Sequence, residues 1–198
     1  MNITAQQIAE FRKKTGLPMM DCKKALVEAG GDEAKALEVL RKKGIAKADS
    51  KSERTTRAGL VECYIHNGSQ IGAMVEVDSE TDFVAKNEEF KTFVHDVALH
   101  VAASSPIYVT RDDVPADKLE EERKFLEDQV KTEGKSEEIA KKIVEGRLGK
   151  FYSEVCLLDQ PFVKDPDKTV GDLLTALIAK IGENIVISKF IRFEIGKN

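Results

Sequence analysis

One short segment of the sequence matches part of a phosphate-binding loop. Gly134-Lys135-Ser136 fits the last three positions of the G-x-x-x-x-G-K-[ST] pattern, whose backbone N–H groups and lysine hold nucleotide phosphates. The pattern also requires a glycine at position 129, where this chain has Gln129, and a strand immediately before the loop. Both requirements are unmet, so we expect this chain itself to bind no nucleotide and no other cofactor.

Histidines and cysteines are further candidates for chemistry. His95 and His100 are five residues apart on a predicted helix, so they do not share a face as the histidines of an H-E-x-x-H zinc site do. The odd number of cysteines, far apart and without a C-x-x-C pair, indicates neither a disulfide framework nor a zinc site. No basic residue beside Cys63 or Cys156 favours a reactive thiolate. We expect buried reduced thiols, no metal and no covalent catalysis.

The segment Asp78–Asn87 breaks the expected pattern, because apolar Phe83 lies in an acidic turn between a strand and a helix. In a structural interpretation, Thr81 or Asp82 caps a short helical turn and Phe83 folds onto the body of the protein. In a functional interpretation, Phe83 is an exposed interaction tip, and its neighbouring carboxylate disturbs a phosphate or magnesium site on a partner. The residues alone favour neither interpretation.

Composition predicts a globular protein of the cytosol. The chain has 198 residues, of which 41% are hydrophobic and 33% charged, which is enough apolar material for a core and too little bias for disorder. No apolar run approaches the roughly 18 residues of a membrane span. The start, MNITAQQIAEF, lacks the basic and then apolar layout of a signal peptide. We therefore expect a soluble protein of the cytosol with no membrane contact.

Charge is unevenly distributed along the chain. Residues 1–58 have a net charge of +5, and the remainder has −9. The basic N-terminal part is either an ordinary solvated surface or a region that meets an acidic partner or RNA. It contains a single aromatic residue, Phe11, whereas RNA recognition uses stacking aromatic side chains. Direct binding of nucleic acid is therefore not expected.

The N-terminal residues predict three helices. The first begins at the cap Thr4, with Gln7 three residues later, and ends at Gly16. The second lies between Pro18 and Gly30, and the third runs from the cap Asp32 to Gly44. The predicted core contains Ile8, Phe11, Met20, Leu26, Leu37 and Leu40. Residues 1–45 are thus predicted to form a three-helix docking module, followed by a charged linker at 46–58.

Residues 59–198 predict an α+β core domain. Two strand-like runs flank Asn67-Gly68, which indicates a β-hairpin, and a helix follows from Asn87 to Pro106. A helical hairpin is predicted at 116–131 and 136–158 with a turn at 132–135, and another helix ends at Gly182. The alternating run at 184–195 supplies a last strand. We expect an antiparallel sheet with one face covered by helices.

Several motifs in this order resemble the translation elongation factor Ts family. TDFVAKN at 81–87 follows a G-x-x-x-E-V strand, and the sequence at 12–44 is similar to the family's ubiquitin-associated-like three-helix module. The segments 146–174 and 190–196 resemble the family's later core. Nearly the whole chain is covered, but it has room for one core subdomain where longer members have two. It therefore resembles the short form, which is expected to be a homodimer.

The resemblance implies guanine-nucleotide exchange on elongation factor Tu, in which GDP and magnesium are displaced and GTP then binds. The insertion residues map onto Thr81, Asp82, Phe83 and Val84. Arg12, Met19 and Met20 are the candidates for docking the module on the GTPase, since methionine suits an adaptable contact surface.

Two other functions remained open. A plain adaptor would bind a partner through the three-helix module without altering any nucleotide, and it would have no use for a hydrophobic tip beside a carboxylate. An RNA-binding protein would show binding concentrated in the basic module that falls steeply with salt, and the acidic remainder argues against it.

Overall fold

The computed structural model describes residues 3–132 and 137–197, and its fold is α+β as predicted. Gly134-Lys135-Ser136 and most of the predicted turn at 132–135 lie outside the described residues. The α-helices are α1 Ala5–Thr15, α2 Met19–Glu28, α3 Glu33–Asp49, α4 Asp82–Ala85, α5 Glu88–Ser104, α6 Ala116–Thr132, α7 Glu137–Val155 and α8 Val170–Ile181. The strands are β1 Ala58–Ile65, β2 Ile71–Ser79, β3 Pro161–Phe162, β4 Asp165–Thr169 and β5 Ile185–Glu194.

The chain forms two compact units, each built from separate stretches of sequence. The first contains the chain through Leu60 together with Val77–Lys91 and Leu173–Val186. The second contains Val61–Glu76, Thr92–Asp172 and the chain from Ile187 onward. The division into a module at 1–45, a linker at 46–58 and a core at 59–198 remains a prediction.

Helix α1 begins and ends where its capping residues predict. The backbone N–H of Gln7 donates to the Thr4 hydroxyl at 3.2 Å, and the N–H of Thr4 donates to the Gln7 side chain at 2.9 Å. Gly16 ends the helix with a positive φ of 69°, a conformation that costs glycine little. Asp32 likewise caps α3 by accepting from Ala34 and Lys35. These ends are fixed by local side-chain chemistry.

The core of the three helices agrees with the prediction at four positions and differs at two. Ile8, Phe11, Leu26 and Leu40 are buried, together with Cys22, Ala25 and Ala36. Met20 is 59% exposed and Leu37 is 52% exposed, so neither is a core residue. The buried stripe of α2 runs through positions 22, 25 and 26, and Met20 lies on the opposite side of the helix.

The predicted stop of α3 at Gly44 is wrong, because the helix continues to Asp49. Gly44 is buried, and a Cβ at this position would lie 3.5 Å from the Cβ of Ala179 in α8. The glycine therefore permits close packing of two helices and ends neither. The first four residues of the predicted linker, 46–49, are helical as a consequence.

The long strands form an antiparallel sheet in the order β1-β2-β5, which places β2 in the centre. The predicted hairpin is present, and the His66 N–H donates to the carbonyl of Ile71 at 2.9 Å to close its loop. A second, two-stranded sheet pairs β3 with β4, and the sequence did not predict it. Residues 165–169, DPDKT, have none of the apolar alternation that indicates a strand.

Helices α6 and α7 form the predicted helical hairpin around a small core of Leu126, Val130, Val144 and Leu148. Helix α7 ends at Val155, three residues before the predicted end at 158. The N–H of Leu157 donates instead to the carbonyl of Tyr108 at 2.8 Å, which removes it from the helical hydrogen-bond pattern. None of the helices in the described ranges combines the length and apolar character needed to cross a membrane.

Helix α5 contains a fully buried imidazole, His100. The backbone N–H of Val163 donates to its Nδ1 at 3.2 Å, so Nε2 holds the proton and donates to Gln160 Oε1 at 2.9 Å. Gln160 in turn donates to the carbonyl of Glu154 at 2.8 Å. A proton added at Nδ1 would break the bond from Val163. Burial accordingly lowers the pKa of His100 below its ordinary value of 6.5, and the Gln160 hydrogen bond offsets this in part.

We expect stability to fall in mild acid because of His100. Well above pH 6.5 the imidazole is neutral in both the folded and the unfolded state, so it does not lower the free energy of unfolding. As the pH falls from 6.5 towards the lower pKa of the folded state, only the unfolded state takes up the proton. The free energy of unfolding should drop by at most about 1.4 kcal/mol per pH unit from this group.

Urea unfolding between pH 8 and pH 5 measures this effect. The variant His100→Gln should have a shallower pH dependence than wild type. Equal slopes for wild type and His100→Gln would contradict the assignment.

Candidate functional site

We use the term insertion tip for Thr81, Asp82, Phe83 and Val84, which connect the end of β2 to α5 through the one-turn helix α4. Phe83 is 79% exposed, although it is one of the largest apolar side chains in the protein. Val84 and Ala85, the next two residues, are buried and fix the turn against the fold. The structural interpretation, in which Phe83 folds onto the body, is therefore contradicted.

Thr81 occupies the N-cap position of α4 but does not cap it with its side chain. Its hydroxyl donates to Glu183 Oε1 at 2.9 Å, and its backbone N–H donates to Glu183 Oε2 at 3.0 Å. On the strand side, the Ser79 hydroxyl donates to the carbonyl of Thr81 at 2.9 Å. On the helix side, Asn87 caps α5 by accepting from the N–H of Glu89 at 2.8 Å. The turn is thus held at both ends while Phe83 stays exposed.

Asp82 places a negative charge next to the exposed ring. Its carboxylate forms an ion pair with Lys86 at 2.6 Å, one helical turn later. The hydrogen bond and the charge of Lys86 hold the pKa of Asp82 below its ordinary value of 3.8, so the group is ionised at neutral pH. The insertion tip therefore presents an apolar surface beside an anionic oxygen. This combination suits entry into a site that holds a cation.

A buried asparagine lies behind the insertion tip. Asn184 is only 3% exposed, and its backbone N–H donates to Glu80 Oε1 at 2.6 Å. Its side-chain amide donates to the carbonyl of Arg54 at 2.8 Å and to that of Ser52 at 3.3 Å. Arg54 also forms an ion pair with Glu80 at 3.4 Å. Glu80, the residue before Thr81, is therefore part of a hydrogen-bonded network that the sequence did not predict.

The three predicted docking residues of the N-terminal helices are all exposed. Arg12 lies on α1, and Met19 and Met20 form the first turn of α2. Met19 retains 42% of its surface in solvent. They are accessible to a partner, and their role stays a prediction.

The cysteines fit the expectation of buried thiols at two positions out of three. Cys22 and Cys156 are buried, and burial raises the pKa of the Cys156 thiol to about 11, which leaves it protonated and unreactive. Cys63 is exposed, contrary to the expectation, because it faces outward from β1. In the part of the chain that the structure describes, no group of three or more His, Cys, Asp or Glu side chains could hold a metal ion.

One face of the long sheet carries a second group of exposed apolar side chains, which the sequence did not predict and which we call the outer sheet face. If Gly72 in β2 carried a Cβ, that atom would lie 2.8 Å from the Cδ1 of Ile65 in β1. The Ile65 side chain therefore lies over Gly72. Lys189 in β5 pairs with Glu76 in β2 at 2.9 Å, which places both on the face of Gly72. The exposed apolar side chains on this face are Val61, Ile65, Met74, Ile191, Phe193 and Ile195.

Two observations support the direction of these side chains. In β1 the residues at positions 61, 63 and 65 are exposed, and the residues between them are half-buried. In β5, Arg192 points to the other face, where it donates to the carbonyl of Ala102 in α5 at 3.0 Å. The alternation of Val61, Cys63 and Ile65 was the available sequence signal. All these residues belong to the second compact unit.

The chain matches a family model described as Elongation factor TS over residues 42–197. It is 60% identical over 197 residues to an Elongation factor Ts of Alkaliphilus oremlandii, with 100% of this chain and 91% of that protein covered. It is 59% identical over 197 residues to an Elongation factor Ts of Alkaliphilus metalliredigens, with the same coverage of 100% and 91%. It is also 55% identical over 195 residues to an Elongation factor Ts of Acetivibrio thermocellus, with 98% of this chain and 91% of that protein covered.

Proposed function

Because this chain belongs to the elongation factor Ts family, we propose that it is a guanine-nucleotide exchange factor for elongation factor Tu. The observation that carries this proposal is the exposed Phe83 beside the ionised Asp82, on a turn that is held at both ends. The chain binds the GDP-loaded GTPase, magnesium and GDP leave, GTP enters, and the chain is released. It forms and breaks no covalent bond and uses no cofactor of its own.

The insertion tip acts by differential binding. Burial of the exposed Phe83 in the GTPase yields about 1.5–3 kcal/mol, which is available to displace the loops that hold phosphate and magnesium. The Asp82 carboxylate repels the phosphates and competes with them for the metal ion. Magnesium bridges the phosphates and protein side chains in such sites, so the loss of its ligands removes a large part of the attraction for GDP.

The three-helix module supplies a second contact with the GTPase. Arg12, Met19 and Met20 are exposed, and the methionines can adapt their side chains to the partner's surface. The net charge of +5 over residues 1–58 favours an acidic surface on the partner. This contact adds affinity and leaves the displacement of the nucleotide to the insertion tip.

The outer sheet face supports the proposal of a homodimer. Six exposed apolar side chains lie on this face, and large exposed apolar patches are uncommon on monomers and mark interaction surfaces. A second copy of this chain is the simplest occupant, because a two-fold axis brings the same patch of both copies together. We further propose that the dimer works in the cytoplasm, on its protein partner alone, with neither nucleic acid nor membrane bound.

Linkage between nucleotide and factor tests the exchange function. If the chain weakens the binding of GDP by a given factor, GDP must weaken the binding of the chain by the same factor. We expect the chain to bind nucleotide-free elongation factor Tu at least tenfold more tightly than the GTPase saturated with GDP and magnesium, a difference of about 1.4 kcal/mol or more. Titration calorimetry of both forms measures the ratio. Equal affinities would leave only a plain adaptor.

A further inference from the structure

The loop 182–184, which connects α8 to β5, contacts the insertion tip directly. The Glu183 carboxylate accepts two hydrogen bonds from Thr81, one at each oxygen, at 2.9 and 3.0 Å. The next residue, Asn184, donates its backbone N–H to Glu80 at 2.6 Å. Two consecutive residues of this loop therefore hold two consecutive residues of the turn. Neither Glu183 nor Asn184 belongs to the insertion tip.

The same loop also holds the chain that leaves the three-helix module. The side-chain amide of Asn184 donates to the carbonyls of Ser52 and Arg54, at 3.3 and 2.8 Å. Lys51 donates to the carbonyl of Gly182. Asn184 is buried, so water cannot replace the carbonyl acceptors of its side-chain amide. Loss of these acceptors would leave buried N–H donors without hydrogen bonds.

Helix α8, immediately before this loop, lies against α3 and the end of α1. A Cβ at Gly44 in α3 would lie 3.5 Å from the Cβ of Ala179. The Nζ of Lys180 would lie 3.0 Å from a Cβ at Gly16, at the end of α1, and it forms an ion pair with Glu89 at 2.5 Å. All of these residues belong to the first compact unit. One segment, α8 and its loop, thus touches both predicted partner-binding elements.

We propose that Glu183 and Asn184 are positioning residues that fix the insertion tip and the three-helix module as one preformed binding surface. This inference rests on the proposed function. It adds that the loop 182–184 allows the insertion tip and the three-helix module to contact the GTPase at the same time. A flexible connection would have to be ordered at each binding event, at a cost in affinity. With the loop in place, docking of the module carries the insertion tip to the GTPase already oriented.

The chemistry of Glu183 suggests a graded series of variants. Glu183→Ala removes both acceptors for Thr81, whereas Glu183→Gln keeps one carbonyl oxygen as an acceptor and removes the charge. The control is Glu145→Ala, which removes the ion pair with Arg123 at 2.8 Å in the second compact unit and leaves the loop and the three-helix module untouched. Asn184→Ala tests the connection to the module.

Two readouts distinguish this inference from the proposed function. The first is the kcat/KM for release of fluorescent GDP from elongation factor Tu. Glu183→Ala should lower it about tenfold, Glu183→Gln should recover most of the loss, and Glu145→Ala should match wild type. The second is amide hydrogen exchange in the free protein, which reports local opening without any partner. Glu183→Ala should expose the amides of residues 81–86, and Asn184→Ala should expose those of 51–57 as well.

Each outcome decides one of the two claims. If wild type fails to accelerate GDP release, the proposed function fails, and hydrogen exchange still tests the loop. If wild type is active and Glu183→Ala equals it in both readouts, the positioning role is overturned. The same conclusion follows if Glu145→Ala is as impaired as Glu183→Ala, because the effect is then general destabilisation. Should Glu183→Ala not fold, Glu183→Gln takes its place, with a smaller loss of protection confined to 81–86 expected.

Discussion

Replacement of Phe83 by alanine is expected to reduce the kcat/KM of catalysed GDP release by roughly 10- to 100-fold. The estimate follows from the 1.5–3 kcal/mol that burial of the ring would contribute on the partner, since about 1.4 kcal/mol corresponds to a factor of ten. The free energy of unfolding should change by less than about 0.5 kcal/mol, because the ring is 79% exposed and few contacts are lost. Stopped-flow release of fluorescent GDP and urea unfolding measure the two quantities.

Phe125→Ala is the matched control for this experiment. Phe125 is also largely exposed, at 58%, but it lies on α6 in the second compact unit. It should retain wild-type exchange activity. If Phe83→Ala retained it too, the insertion tip would have no part in exchange.

The variant Phe193→Lys is expected to convert a dimer into a monomer. Phe193 is 66% exposed on the outer sheet face, and a second copy seated there would bury it. A lysine at this position would place an unpaired charge in the interface, and such a charge costs about 3–5 kcal/mol when it is buried without a partner. The dissociation constant of the dimer should therefore rise by a factor on the order of a hundred or more.

Sedimentation equilibrium at micromolar concentration measures the change. Wild type should sediment at twice the chain mass of 22.0 kDa and Phe193→Lys at the mass of one chain. Phe125→Lys, which places the same charge on α6, should remain dimeric. A monomeric wild type, or a Phe193→Lys variant that still sediments as a dimer, would remove the outer sheet face as the dimer interface.

The parts of the fold that were predicted correctly depend on local signals. Thr4 with Gln7, and Asp32, satisfy backbone donors within three residues of themselves, so the starts of α1 and α3 follow from the sequence alone. The apolar periodicity of α5 and α8 likewise needs no information from distant residues. The same holds for the hairpin around Asn67-Gly68.

The errors arise where tertiary contacts override local preference. Gly44 is a typical helix stop, but its contact with Ala179 makes it a packing position inside α3. The exposure of Met20 depends on which face of α2 the other helices cover. In β5 the alternation shifts at two adjacent exposed residues, Ser188 and Lys189, so Ile185 and Ile187 are buried whereas Ile191 and Phe193 are exposed. No periodicity rule predicts that shift.

The candidate site was found only in part for the same reason. Phe83 beside Asp82 is visible in the sequence as an anomaly, but the turn that carries it is hydrogen-bonded to Glu183 and Asn184, about a hundred residues later. Those residues lie in a short loop that carries no motif. The insertion tip could therefore be proposed as a site from the sequence, and the loop that contacts it could not.

The release of a fluorescent GDP from elongation factor Tu tests the central claim most directly. The GTPase, loaded with labelled GDP and magnesium, is mixed with excess unlabelled GDP, with and without a catalytic amount of this protein. If the protein is an exchange factor, each of its molecules should release labelled GDP from many molecules of the GTPase. The rate of GDP release should rise with the concentration of this protein. Release at the uncatalysed rate, under conditions where the two proteins form a complex, would contradict the account.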